Sequence, residues 1–577
     1  MWRIAYDWHS RLPERLKTEH ITSLVKIHWG EANTAEIQAN SFSDALFGLG
    51  YVQGQLNGWT IALWRQAALG KLHEWYGSEV FEADRLVRKL ELSEIAQASY
   101  SRLNPDETRL IASFGEGIRL ALEETDRMHE FVLQDIVPDP WEPWHTFAIE
   151  RLIAWMSSTS EPVCNLGTSI CSGMENLRSI LLLDGFESSS TWVISTARSP
   201  LLYQRHILGK SRSPAFQEVV LRVSDELELH GASLLGTPFF PTGKTNEQAW
   251  SILLHSPKTS RPTHSTSMRT VRLRFPDREE LVHYKRSDST FNVPESKTEL
   301  FWDGFGTETD TRAWFALLHN RSLPFQIWRG DGLLIRPDTP HVILGDPEFV
   351  SVTNHSGLVI SNDSLIYYDV HYLDRLNPDF DDPLSWITDT YSPWIAETLP
   401  PKLDSLRIPM NSTAMIRSAL AYLRNWDYDF GEKSIGATIY HEWMIADGEA
   451  PEDAFYNAVD ELAQKYGPNP SEWLWARVHI DTSWVTFGGA SDHEIFQPFI
   501  SPIVGHESTM IWGGFRATAA PSIWEMWTWI EPGGSHSIRR WSIDFRQPLG
   551  RYISGKRGST VFSLPTPYFK TTLMVTK

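Results

Sequence analysis

Cysteine is nearly missing from this sequence: Cys164 and Cys171 are the only two in 577 residues. A fold framed by disulfides is thereby excluded. The gap between them fits neither a zinc nor a redox spacing, so two reduced thiols are expected. Basic charge is short as well. The chain carries 52 Lys and Arg against 72 Asp and Glu, for a net charge of −20, with no polybasic cluster. Phosphate contacts need a basic surface, so no nucleic-acid partner is expected. No apolar run approaches the ~18–20 residues that cross a bilayer, so no membrane partner is expected. The opening MWRIAYDWHSRLPERLK has no apolar stretch of the kind a signal peptide needs, and the expected location is cytoplasmic. In that compartment the sequons at Asn354, Asn362 and Asn411 would stay unmodified. There is no G-x-S-x-G elbow, and no glycine-rich phosphate loop follows a strand.

What is present is the balance of a globular chain, 41% hydrophobic and 21% charged, with 26 tryptophans that must serve cores or pockets. Residues 41–160 carry apolar side chains at helical spacing, with Ser43 as a candidate cap and a break at Asn104-Pro105. Residues 165–190 are rich in Gly, Ser and short polar segments, which suggests a linker. From Trp192 to about residue 360 come short strand-like runs: WVIS, PLLYQRHIL, AFQEVVLRV, TVRLRF, WFALLH, LLIRP, HVIL and FVSVT. Helical periodicity returns over 412–465, and the last hundred residues are again strand-like. The alternation predicts an α+β fold in which strands from distant segments share sheets.

Several short patterns carry little. Ser23-Leu-Val-Lys26 fits S-x-x-K, but its companion motifs are missing. Pro337-Asp-Thr-Pro-His341 has no partner ligand at metal spacing, and a turn ending in a strand histidine accounts for it. His441-Glu442 lacks the second histidine that completes a zincin helix. Asp379, Asp381 and Asp382 fit a solvated loop better than a calcium site. The stretch GFESSSTWVIS, residues 185–195, is different. A serine hydroxyl is a weak nucleophile and needs a base. A cut just before the serine would supply one, because the new α-amino group titrates near ~7.7–8.0 and is readily neutral.

A series of landmarks gives that idea a context. Asp44-Ala-Leu-Phe47-Gly48-Leu-Gly50-Tyr51-Val-Gln53 comes first, then Gly70-Lys-Leu-His-Glu74, Asp84-Arg85 and Ser158-Thr-Ser-Glu161. Ser189-Ser190-Thr191-Trp192-Val193 follows, then Pro200-Leu-Leu, Gly236-Thr-Pro238, Gly243, Ala249-Trp250, Ser356-Gly357 with Asn362, and Trp426-Asp427. In this order they resemble the penicillin acylase family of N-terminal nucleophile (Ntn) hydrolases over nearly the whole chain.

The resemblance implies an αββα sandwich, two antiparallel sheets between helical layers. It implies a mainly helical A-chain-like region over residues 1–164, a spacer over 165–188, and a B-chain-like region over 189–577 with a helical segment at about 405–466. Ser189, three before Trp192, takes the nucleophile's place, with Ser188 and Ser190 as alternatives. Autocatalytic cleavage would leave two chains that stay associated. The backbone N–H of Leu254 and, on a later strand, the side chain of Gln326 take the places of the oxyanion donors. Trp155, Leu208 and Thr242 take the places of acyl-pocket residues, and no cofactor is implied. The sequence also departs from the family. Ser188 stands where glycine usually precedes the cut, and Ser190 where asparagine usually follows the nucleophile. Glu161 matches a calcium ligand, but HSPKTSRPT replaces the matching aspartates, so no metal is expected. The expected function is hydrolysis of a small-molecule acyl-amide through an acyl-enzyme. Acyl transfer from that intermediate and an inactive, uncleaved scaffold are the alternatives.

Overall fold

The computed structural model describes residues 12–30, 34–124, 128–157, 168–181, 186–194, 200–208, 215–224, 227–254, 389–448 and 450–483, and shorter runs elsewhere that are given by their limits. Its central helix is Phe42–Ala68, buried from Asp44 to Ala68. Buried on every side, it belongs to the core rather than to the surface. The cap is Ser41, whose hydroxyl accepts from the Asp44 N–H, and not Ser43, whose hydroxyl bonds to that of Ser113. The buried Asp44, in the first turn, accepts from the N–H and hydroxyl groups of both Thr22 and Ser23. The S-x-x-K serine is therefore spent on a structural carboxylate.

Helix Pro105–Glu124 lies against the central helix at backbone contact. A Cβ on Gly50 would stand 2.0 Å from the Phe114 carbonyl oxygen, and one on Gly117 2.0 Å from that of Phe47. The landmark Gly50 and its counterpart Gly117 are thus a packing requirement. Gln53, one turn along, donates to Ser233 Oγ and to the Thr237 carbonyl, and accepts from Gly236 N–H. Gly236 has φ +75°, which glycine adopts without strain. Two distant landmarks are therefore one contact.

A ten-stranded sheet runs in the order 15–18, 567–575, 25–30, 35–39, 216–223, 227–234, 242–244, 249–252, 332–336, 339–344. Both ends of the chain thus meet in one sheet, and the central helix packs on its strands Val25–Gly30, Ala35–Ala39 and Phe216–Val223. A seven-stranded sheet has the order 350–352, 358–361, 186–194, 201–208, 522–529, 535–539, 560–562. Val193 and Leu202 of this sheet form one apolar cluster with Ala249, Leu253, Leu333 and Ile335 from the strands and strand ends of the other.

Two expectations are corrected, and the expected spacer gains a described helix. WFALLH belongs to helix Asp310–Leu318, capped by the Thr309 hydroxyl, rather than to a strand. The expected spacer contains helix Thr168–Leu181, where Gly173 lets the helix approach Leu86. Cys171 is disulfide-bonded rather than a free thiol.

A separate helical module follows. Helices Pro393–Ser405, Ala414–Arg424 and Ile435–Ile445 are capped by the hydroxyls of Ser392, Thr413 and Ser434, and Pro451–Tyr466 starts on a proline. Their apolar faces close on their own core, which includes Phe430, Trp443, Phe455, Trp473 and Trp475. No helix among the described residues is long and apolar enough to cross a membrane.

Candidate active site

The serine patch forms the strand Phe186–Ile194, paired antiparallel with Leu201–Leu208 on one side and Leu358–Ser361 on the other. Ser189 stands opposite His206, and Ser190 between Arg205 and Ser361. The strand is buried on both faces from Ser190 to Ile194, so the hydroxyl-bearing Ser190 and Thr191 sit in a buried sheet instead of a solvated turn. Thr191 satisfies its hydroxyl by donating to the Tyr203 carbonyl at 2.8 Å. The Ser190 hydroxyl, wholly buried, has no hydrogen-bond partner among the described residues. An unmet buried hydroxyl costs about 1–3 kcal/mol, which makes this a place where a ligand or water is welcome.

The pairing slips between Phe186 and Ser188. Such a bulge leaves one residue out of the ladder and is common beside active sites. Here it lies directly before the Ser188–Ser189 peptide bond. In the continuous chain the Ser189 nitrogen is an amide inside a strand, so the α-amino base would exist only after a cut.

The strand Ala249–Ile252 is held against this hairpin. Gln204, opposite Thr191, donates through Nε2 to the Ile252 carbonyl at 3.0 Å. Leu253 packs with Val193 and Leu202, and Leu254 follows, fully buried. Thr242, in the neighbouring strand, is buried and donates to the Trp250 carbonyl at 3.2 Å. A Cβ on Gly243 would come within 2.9 Å of the Trp250 indole, so the landmark glycine makes room for the landmark tryptophan. The serine strand, Leu254 and Thr242 are therefore brought into one region of the two sheets. Leu208 ends the paired strand opposite Phe186 and Ser522.

Two other residues lie apart from this hairpin. Trp155 is on helix His145–Met156 in an aromatic nest, edge-on to Trp302 at 5.2 Å, with its indole N–H directed at the Met174 sulfur at 2.9 Å. Gln326 was expected on a strand, but it lies outside any strand and its side chain is exposed. The reason is Asp310, whose carboxylate accepts from the N–H groups of Gln326, Ile327 and Trp328 at 2.6–3.2 Å and pins the segment as a turn. Glu150 in turn accepts from the Asp310 and Thr311 N–H groups. Arg151 beside it donates to Ser99 Oγ and to the carbonyls of Gly306 and Glu308. Burial pushes the Glu150 carboxyl up to about 7, and the Asp310 charge adds to this. Sequence reading missed this network, although Glu150-Arg151 inside the apolar run HTFAIERLIAWM signals it. Glu161, Ser158, Asp379, Asp381, Asp382, Ser356 and Asn362 lie outside the described residues.

The family model described as penicillin amidase matches residues 24–260 and 365–542. A stretch of 124 residues is 32% identical to the penicillin acylase 2 proenzyme of Pseudomonas sp. (strain SE83), covering 21% of this chain and 16% of that protein. Over 266 residues the chain is 24% identical to the acyl-homoserine lactone acylase QuiP of Pseudomonas fluorescens (strain Pf0-1), covering 37% and 32%. The QuiP of Pseudomonas syringae pv. tomato is 26% identical over 267 residues, with the same shares. The matched parts span about a third or less of these relatives' own length. The family match, in contrast, takes in the central helix, the serine strand, the Trp250 strand and the helical module, and the chain belongs to the penicillin amidase family.

Proposed function

We propose that this protein is an amidase that cleaves a small-molecule acyl-amide through Ser189, after the chain is cut between Ser188 and Ser189. The observation that carries this is the pairing of a family match across residues 24–260 with a bulged, buried serine strand held against the Leu254 segment. After the cut, the Ser189 α-amino group takes the hydroxyl proton as Oγ attacks the acyl carbonyl. The C–N bond breaks, the amine leaves with that proton, and water hydrolyses the ester to release the acid and restore the serine. The Leu254 N–H is the oxyanion donor of this reading. The exposed Gln326 would need the turn held by Asp310 to move before its amide could join. Thr242 and Leu208 are the acyl-pocket residues nearest the hairpin in this scheme, and Trp155 serves it as a fixed wall. The two sheets are taken as the middle layers of an αββα sandwich, supported by the shared apolar cluster and by the Gln204 to Ile252 bond. The two chains would stay together because the ten-stranded sheet draws strands from both sides of the cut. The reading needs no cofactor.

The similarity to a penicillin acylase and to acyl-homoserine lactone acylases supports an acylated small molecule as the substrate. The test is a panel of N-phenylacetyl and N-alkanoyl amides, scored by amine release and by the mass of a trapped acyl-enzyme. Amine release with an acyl adduct on the chain that begins at Ser189 is expected. An adduct elsewhere, or amide turnover equal to that of Ser189→Ala, would overturn the proposal. Transfer of the acyl group to an added amine in preference to water would favour the acyltransferase alternative.

A further inference from the structure

The helical module contains a second constellation, unrelated to the serine. His441 and Glu442 sit together on helix Ile435–Ile445, and His479 closes the short helix Trp475–Val478. The histidine missing from the H-E pair in sequence is thus supplied in space. One ligand atom from each of the three residues lies within 4.8 Å of the others. His441 and His479 are buried, at 1% and 4% exposure, and Glu442 is half-buried.

The hydrogen bonds set the tautomer of His479. Its Nδ1 lies 3.2 Å from the Trp475 carbonyl, which can only accept. Nδ1 therefore carries the proton and Nε2 the lone pair. That Nε2 is buried with no hydrogen-bond partner among the described residues. The Trp475 indole stacks on the ring at 3.6 Å and fixes its plane. A carbonyl orienting one imidazole nitrogen while the other faces outward is the usual support of a metal-bound histidine. The neighbouring His506 is set the other way. The Ser508 N–H donates to its Nδ1 at 3.2 Å, so its Nε2 bears the proton and it is not a ligand.

We propose that His441, Glu442 and His479 form a binding site for a divalent transition metal of the zinc class, with two imidazole nitrogens and one carboxylate oxygen as ligands and a fourth position for water. The donor set is one that zinc accepts. Zn–N and Zn–O bonds of about 2.0–2.2 Å put tetrahedral donors about 3.3 Å apart. Loading the site therefore asks the three side chains to close by roughly 1.5 Å at most. Glu442 carries the needed negative charge and, being half-buried, leaves the metal a path to solvent.

The experiment is titration of the EDTA-stripped full chain with Zn²⁺ against a chromophoric chelator, and with Co²⁺ by its visible absorption. Wild type, Ser189→Ala, His479→Gln and Glu442→Gln are compared. One equivalent per chain is expected, with an intense tetrahedral Co²⁺ band. Affinity should be weakened more than about 100-fold in His479→Gln, beyond the 10–100-fold of outer-shell changes. Ser189→Ala should bind as wild type does, so the outcome is independent of the serine chemistry. Zn²⁺ binding of unchanged affinity in His479→Gln and Glu442→Gln would overturn the proposal. Should His479→Gln not fold, wild type decides. A wild-type Co²⁺ spectrum without a tetrahedral band would overturn the proposal equally.

Discussion

The α/β body holds its buried aspartates in shells of donors, whereas the helical module packs its buried histidines ring to ring. Three buried aspartates of the body show this. Asp44 takes four, Asp84 accepts from the Leu72 and His73 N–H groups and from the His73 ring, and Asp310 holds three N–H groups of one turn. In the module three histidines pack ring to ring among Phe430, Tyr440 and Trp475, and the His479 Nε2 faces Glu442 and His441 without a hydrogen-bond partner among the described residues. A satisfied buried carboxylate locks a scaffold, whereas a buried lone pair held in one tautomer is available to a ligand. The comparison separates groups that fix geometry from groups that have chemistry left to do. By that measure the serine strand resembles the module, since its Ser190 hydroxyl is also left without a partner.

The largest expected effect tests the serine strand. Ser189→Ala should lower amide turnover on the order of 10³-fold or more, with an unchanged circular-dichroism spectrum. A loss of less than tenfold would place the nucleophile at Ser188 or Ser190. Next comes the scaffold. Asp310→Ala orphans three N–H groups and should cost about 3–5 kcal/mol in chemical denaturation. Gly117→Ala drives a Cβ into the Phe47 carbonyl and should cost about 1–3 kcal/mol or more. A neutral result for both would break the distinction between the regions.

Titration sharpens the comparison further. His145 accepts from the Glu142 N–H through Nδ1, and burial, with Arg65 and Lys71 adding, pushes it down to about 3. The unfolded chain takes up this proton near 6.5, so between about 6.5 and about 3 the unfolded state binds more protons. His145 therefore withdraws about 1.4 kcal/mol of stability per pH unit as pH falls through that window. His145→Asn should flatten that part of the stability profile. The smallest effect is in the module. Burial pushes the Glu442 carboxyl up, so Glu442→Gln in metal-free protein should change stability by less than about 0.5 kcal/mol. A large loss would make Glu442 a scaffold residue like Asp310.

Local patterns carried the helices. The break at Asn104-Pro105 is real because the Asn104 carbonyl oxygen of the side chain accepts from the Asp106 and Glu107 N–H groups. The strands Arg15–Thr18 and Val25–Gly30 were not singled out, since their partner Pro567–Val575 lies at the other end of the chain, and Ala35–Ala39 pairs in parallel with the distant Phe216–Val223. WFALLH shows how a short apolar run leaves helix and strand unresolved until a cap decides. Ser189, Leu254 and Thr242 were singled out only through the family's order of landmarks. Gln326 was misplaced because the Asp310 latch is invisible in one dimension. The pairing of His441 with His479 was hidden for the same reason.

The central claim is that Ser189 becomes a chain terminus, and intact mass spectrometry of the purified protein beside Ser189→Ala tests it most directly. The account predicts two associated chains in wild type, the second beginning at Ser189, and one full-length chain in the variant. A wild-type protein that remains a single chain, or a new terminus at another residue, would contradict it.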